Sequence, residues 1–121
     1  MQAITIDLPF PVSQNMIWAQ GRGRTFKSPV YKKWLKEAGL LWITQRRHQP
    51  IQSIEGPFSA YVILRIRDNR RRDIDNLSKI LLDFAQRHSI ISDDKLCRRL
   101  LVEVGTDETA PLGARLILKP M

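Results

Sequence analysis

The sequence reads as a small α/β (α+β) single domain: a mixed sheet with two main helices, in the order β-α-β-α-β-β. Three observations lead there. Residues 29–47 and 76–87 carry apolar side chains at helical spacing, and four shorter stretches alternate or run apolar as strands do. Strand and helix patterns follow one another along the chain, which favours helices packed on a sheet. The 121 residues are 43% hydrophobic and 26% charged, without repeats, low-complexity tracts or a linker, so 1–121 is expected to be one domain with one core.

Residues 3–8 partly alternate and predict a first strand, stopped by Pro9 and Pro11. Residues 11–28 are irregular, and Gly21-Arg22-Gly23-Arg24 within them suits a short hairpin or a loop. Ser28 is a candidate N-cap and Pro29 suits a first helical position, so a helix is expected from there. Tyr31, Trp34, Leu35, Ala38, Leu41 and Trp42 recur at its spacing, and Arg46-Arg47-His48 sit at its C-terminus, where the dipole favours cations. After Pro50, Gly56 and Pro57, residues 58–67 alternate as a strand with a basic exit, and residues 68–73 form a charged loop. A second helix is expected from Asn76 to about Arg87, with Leu77, Ile80, Leu81 and Phe84 as its apolar face. Residues 96–104 and 112–118 complete the strands.

Twenty Lys+Arg against twelve Asp+Glu give a net charge of +8, which favours a polyanionic partner. Charge alone suits a ribosomal protein or an anionic-lipid binder equally. Cys97 is the single cysteine, and with two histidines the chain offers neither an internal disulfide nor a plausible zinc site. No stretch has the apolar length of a membrane span, and residues 1–10 do not resemble a secretion signal. The expectation is a cytoplasmic protein with no membrane partner.

The densest chemical signal is Arg70-Arg71-Arg72-Asp73-Ile74-Asp75-Asn76-Leu77-Ser78-Lys79. If residues 73–75 are extended, Asp73 and Asp75 share a side while Ile74 faces the core. Two such carboxylates beside three arginines suit a hard divalent cation such as magnesium, which leaves positions for water and substrate phosphate. With Asp75 as helix N-cap, Lys79 lies one turn on along the same face, placed to orient water or stabilise transition-state charge. A plainer account stays open: Asp75 only caps the helix, and Asp73 only pairs with Arg71 or Arg72. Asp93-Asp94 alone suits a turn; combined with the first pair it supplies a third carboxylate, because helix 76–87 can return the chain beside its own start. Asp83 has the spacing of an ordinary i, i+4 ion pair with Lys79 and reads as surface chemistry.

Arg22, Arg24 and Lys27 form a basic, glycine-containing segment with Trp18 and Phe26 nearby, which suits a DNA-contacting arm or a solvated hairpin equally. Residues 15–48 hold eight basic residues and one acid, Glu37. Trp34 and Trp42 read as core, His48 and His88 as structural, and Cys97 as a small buried hydrophobe.

Asp73-Ile-Asp-Asn-Leu-Ser-Lys79, followed by Leu82-Asp83 and Asp93-Asp94, resembles the RusA family of Holliday junction resolvases. The resemblance continues through Leu8-Pro9-Phe10-Pro11, Ser13, Asn15, Gly23-Arg24 and the basic helix after Ser28, and so covers most of the chain. It implies a RusA-like fold and a homodimeric, metal-dependent endonuclease that makes paired nicks in a four-way DNA junction. Carried over residue by residue, it implies an active site of Asp73, Asp75, Asp94 and Lys79, with the three aspartates on Mg²⁺ (Mn²⁺ as a substitute). Asn76 matches the motif asparagine, which implies support of the site or a phosphate contact, while the basic residues Arg22, Arg24, Lys27, Arg70, Arg71 and Arg72 are the expected DNA contacts by their charge and position. One departure concerns Gln86–Ile91, where the family often has a glycine-containing turn. Two other functions fit the same residues: a non-catalytic, structure-selective nucleic-acid binder, and a nuclease specific for flaps or forks.

Overall fold

A computed structural model describes residues 3–13, 16–21, 23–49, 52–65, 74–105 and 113–121, with the side chains of Ile74, Asp75 and Asn76 outside the description. The described elements run β1 (Ile4–Leu8), β2 (Trp18–Gly21), β3 (Arg24–Lys27), α1 (Pro29–His48), β4 (Phe58–Arg65), α2 (Ile74–Arg87), β5 (Cys97–Gly105) and β6 (Gly113–Pro120). Four strands form one sheet in the order β1-β6-β4-β5, and among the described residues β2 pairs with β3 in a separate two-stranded sheet. The β1–β6 and β6–β4 pairs are antiparallel and β4–β5 is parallel, so the sheet is mixed as expected. A parallel neighbour needs a crossover, and α2 supplies it.

Of the two readings left open for Gly21-Arg22-Gly23-Arg24, the pairing of β2 with β3 on either side of Arg22, itself outside the described residues, favours the hairpin. Trp18 is opposite Lys27 and Gly21 opposite Arg24. Gly23 has φ +80, a conformation that glycine adopts without a Cβ penalty. The Ser28 hydroxyl accepts from the Tyr31 N–H at 3.2 Å and caps α1, with Pro29 behind it. Tyr31, Trp34, Ala38 and Trp42 are the buried face of α1. Leu41 differs from the expectation: it is exposed, at the edge of the buried face beside Trp34.

β1 is an edge strand, and α1 closes its free side. The Gln45 side-chain oxygen accepts from the Asp7 N–H and its amide donates to the Asp7 carbonyl, both at 2.7 Å. Gln49 donates to the Thr5 carbonyl at 2.9 Å. An open strand edge, otherwise a template for foreign strands, is thereby satisfied within the chain.

Both helices share one core. Trp34 of α1 meets Phe84 of α2 edge-on, with ring centroids 5.7 Å apart. The buried indole N–H finds the Pro9 carbonyl at 3.2 Å. Along β4, Phe58, Ala60, Val62 and Leu64 are buried while Ser59, Tyr61, Ile63 and Arg65 are only half-buried. The sheet therefore has one covered face and one more open face. Strand ends lie within a residue or two of the expected ones. Residues 66–73, which include the expected end of β4 and the charged loop, are outside the described residues.

α2 begins at Ile74, two residues before the expected Asn76, so Asp75 lies inside the first turn and is not its N-cap. The extended reading of residues 73–75 is corrected for Ile74 and Asp75, which are helical; Asp73 is outside the described residues. At the other end, Ile90 donates to Ala85 at 2.9 Å and Ser89 to Gln86 at 3.1 Å. These are the two bonds of a Schellman motif. Ser89, with φ 59, takes the left-handed position that glycine fills most easily.

Candidate active site

The sequence of α2 divides it into two sides. Leu77, Ile80, Leu81, Phe84 and Ala85 are buried in the core. Lys79, Asp83, Gln86 and Arg87 recur every three or four residues on the remaining side and line an open cleft. Asp75 precedes Lys79 by one turn of the same helix.

The Schellman turn then sends the chain back along α2. Ile90 and Ile91 are buried, and a parallel bridge between Ile91 and Ile54 pins the return. Asp93 and Asp94 take different tasks. The Asp93 carboxylate accepts from the Lys95 N–H at 2.9 Å and caps the 3₁₀ turn Asp94–Leu96. The Asp94 N–H donates to the Gln86 side-chain oxygen at 2.9 Å, and its carboxylate charge acts on Asp83. Thus Asp94 is held against α2, while Asp93 serves the turn.

Lys79, Asp83, Gln86, Arg87 and Asp94 line a cleft of about 780 Å³ together with Ile17, Trp18, Lys27 and Tyr31. Trp18 and Lys27 of the hairpin thus line the same cleft as the acidic pair. Burial raises the Asp83 pKa above its ordinary value, and the Asp94 carboxylate adds to the rise, while Lys79 and Arg87 oppose it. Burial also raises the Tyr31 phenol, with Arg87 opposing and Asp83 adding, so the phenol stays neutral at physiological pH.

Of the residues expected from the sequence, Lys79, Asp94 and Lys27 meet in this cleft. Arg24 lines a neighbouring depression with Gln20, Gly21, Gly23 and Thr25. Asp75 and Asn76 lie in the first turn of α2. Asp73, Arg22, Arg70, Arg71 and Arg72 lie outside the described residues. Asp83 is corrected: the Lys79 charge acts on it as the i, i+4 spacing suggests, but the side chain is half-buried and the Asp94 charge acts on it as well. Its spacing to Lys79 shows only the helix neighbour. Tyr31 was legible as core, but not that Asp83 and Arg87 act on its hydroxyl.

The Asp83–Asp94 pair fits a cation. Two oxygen-ligand groups meet in a half-buried place where a second negative charge is disfavoured, and a bound divalent ion would remove that penalty. Among the described residues no group of three or more His, Cys, Asp or Glu is assembled.

Comparison with known proteins agrees with this geometry. Residues 9–114 match the family described as Endodeoxyribonuclease RusA. The chain belongs to the RusA family. Within it, a similar relative is the crossover junction endodeoxyribonuclease RusA of Aquifex aeolicus (strain VF5). The two are 33% identical over 89 residues, covering 74% of this chain and 68% of that protein. RusA membership makes the chain an endodeoxyribonuclease, and metal dependence goes with RusA nucleases in general. The RusA match spans the hairpin, both helices and the acidic return, so the whole cleft belongs to the shared region. No helix among the described residues is long and apolar enough to cross a membrane.

Proposed function

We propose that the protein resolves four-way DNA junctions by Mg²⁺-dependent hydrolysis of one phosphodiester in each of two opposed strands, working as a homodimer in the cytoplasm. The single observation that carries the reading is the convergence of Lys79, Asp83 and Asp94 in a cleft faced by Lys27, within the region shared with the family.

Asp73, Asp75 and Asp94 are assigned to the metal, and Asp83 joins them from its place beside Asp94 in the cleft. Bound there, Mg²⁺ would supply an activated water and neutralise charge developing on the phosphate. Lys79, one turn from both Asp75 and Asp83, holds its ammonium at the scissile phosphate and stabilises the added charge as water attacks and the P–O bond breaks. Gln86 fixes the Asp94 backbone and so the direction of that carboxylate. Arg70, Arg71, Arg72, Arg22, Arg24, Lys27 and Asn76 are assigned to the DNA backbone, in keeping with the net charge of +8.

A four-way junction has two-fold character, and a C₂ dimer presents two equal sites to it. The open sheet face supports that assembly. By register, Leu101 of β5, Tyr61 of β4 and Ile117 of β6 form a row across it, and Leu101 is 52% exposed. The cheapest test separates binding from cutting. Asp94→Asn and Lys79→Ala are expected to bind a four-way junction like the wild type and to cut it at least about 100-fold more slowly. Normal cutting by both variants would remove the assignment.

A further inference from the structure

Trp18 is 57% exposed, whereas Trp34 and Trp42 are each 4% exposed. Its backbone is nevertheless held on both sides. Ile17 before it is buried, and the Ile17 carbonyl accepts from the Ser28 N–H at 2.8 Å. The Ser28 hydroxyl also donates to the Met16 carbonyl. After it, β2 runs in full register with β3.

The two exposed aromatics of the hairpin are not equivalent. Residues directly opposite in an antiparallel pair share a face, and the faces alternate along the strand. Phe26 is opposite Ala19 and packs on the hairpin itself: a Cβ at Gly21 would lie 3.2 Å from its ring. Trp18 is opposite Lys27, and both line the cleft that holds Lys79, Asp83 and Asp94. An indole face and an ammonium group side by side match the two parts of one nucleotide, its base and its phosphate.

We infer that Trp18 is a stacking subsite for a nucleobase that has left its pair beside the scissile phosphate, with Lys27 on that nucleotide's phosphate. The inference rests on the nuclease reading above and deepens it. Stacking on an indole accepts any base, because every base has a π-face, but it needs a base whose face is free. Continuous duplex offers none; a branch point does, at a lower cost of unstacking. Trp18 thus becomes a determinant of substrate shape, separate from the carboxylates that cut.

The test follows tryptophan emission while the metal-free protein, in EDTA, is titrated with a synthetic four-way junction and with linear duplex of the same sequence. Because Trp34 and Trp42 are buried, a stacked base quenches mainly Trp18. Saturable quenching by the junction, absent in Trp18→Phe, is the expected result. Junction affinity should fall about 10-fold in Trp18→Ala, stay within about 3-fold in Trp18→Phe, and duplex affinity should be the same for all three proteins. Saturable junction binding without quenching, an Ala variant that binds the junction as the wild type does, or equal losses in the Ala and Phe variants would each overturn the stacking role. Failure of the wild type to bind the junction at all is a different result, and would remove the nuclease reading on which the inference stands.

Discussion

The half-buried Asp83 carboxyl lies where burial and the charge of Asp94 both disfavour its ionised form. Its pKa is therefore raised, and the folded protein holds the Asp83 proton more tightly than the unfolded chain does. The sign follows from linkage: stability is highest below the usual carboxylate range and falls as pH rises through it and on to the raised folded value. In EDTA at neutral pH, Asp83→Asn is therefore expected to melt higher than the wild type, with the gap closing in acid. Added Mg²⁺ should raise the Tm of the wild type more than that of the variant, since a cation binding only the native state stabilises it by mass action. A variant that melts lower at neutral pH in EDTA would contradict the account. Ser89 gives a second prediction. A non-glycine residue in the left-handed region costs about 1–2 kcal/mol, so Ser89→Gly should stabilise the protein by up to about 1 kcal/mol, measured by denaturant unfolding. At this scale the sequence was only partly legible. Lys79 and Asp94 carry their chemistry in their spacing, but the meeting of Asp94 with Asp83 depends on how the turn at Ser89 sends the chain back, which spacing does not encode.

Elements are positioned here by contacts that periodicity cannot display. Gln45 and Gln49 look like ordinary polar positions of a basic helix, yet they close the edge of β1. Gln45→Ala removes two bonds to the strand backbone and is expected to cost about 1–3 kcal/mol in denaturant unfolding. Gly113 is the other hinge between elements: at φ +154, an added Cβ would sit 2.7 Å from the Leu8 carbonyl oxygen of β1. Gly113→Ala should therefore destabilise by roughly 2 kcal/mol or more; a change under about 0.5 kcal/mol would show that the β1–β6 pairing yields easily. What was legible at this scale had a local cause. The Ser28 cap with Pro29 located the start of α1, and the apolar rhythm of 77, 80, 81 and 84 located the core face of α2. The start of α2 was misplaced because aspartates suit a cap and a first turn alike.

For the whole molecule, the mixed sheet and the helix-bearing crossover could be read from the alternation of patterns, and the polyanionic partner from the charge. The strand order β1-β6-β4-β5 could not, since it is set by which strand pairs with which over long sequence separations. Two-fold paired cutting requires a dimer, so the mass in solution should be twice the 14.1 kDa of one chain, with Leu101→Lys shifting it towards the monomer on size-exclusion chromatography with light scattering. The central claim, a metal-dependent junction resolvase built on this cleft, is tested most directly by mapping cuts in a synthetic mobile four-way junction incubated with Mg²⁺ or with EDTA. The account predicts paired, symmetric nicks that require Mg²⁺ and vanish in Asp73→Asn and Asp94→Asn. Tight binding without cutting under any divalent metal, or equal cutting of flaps and forks, would contradict it.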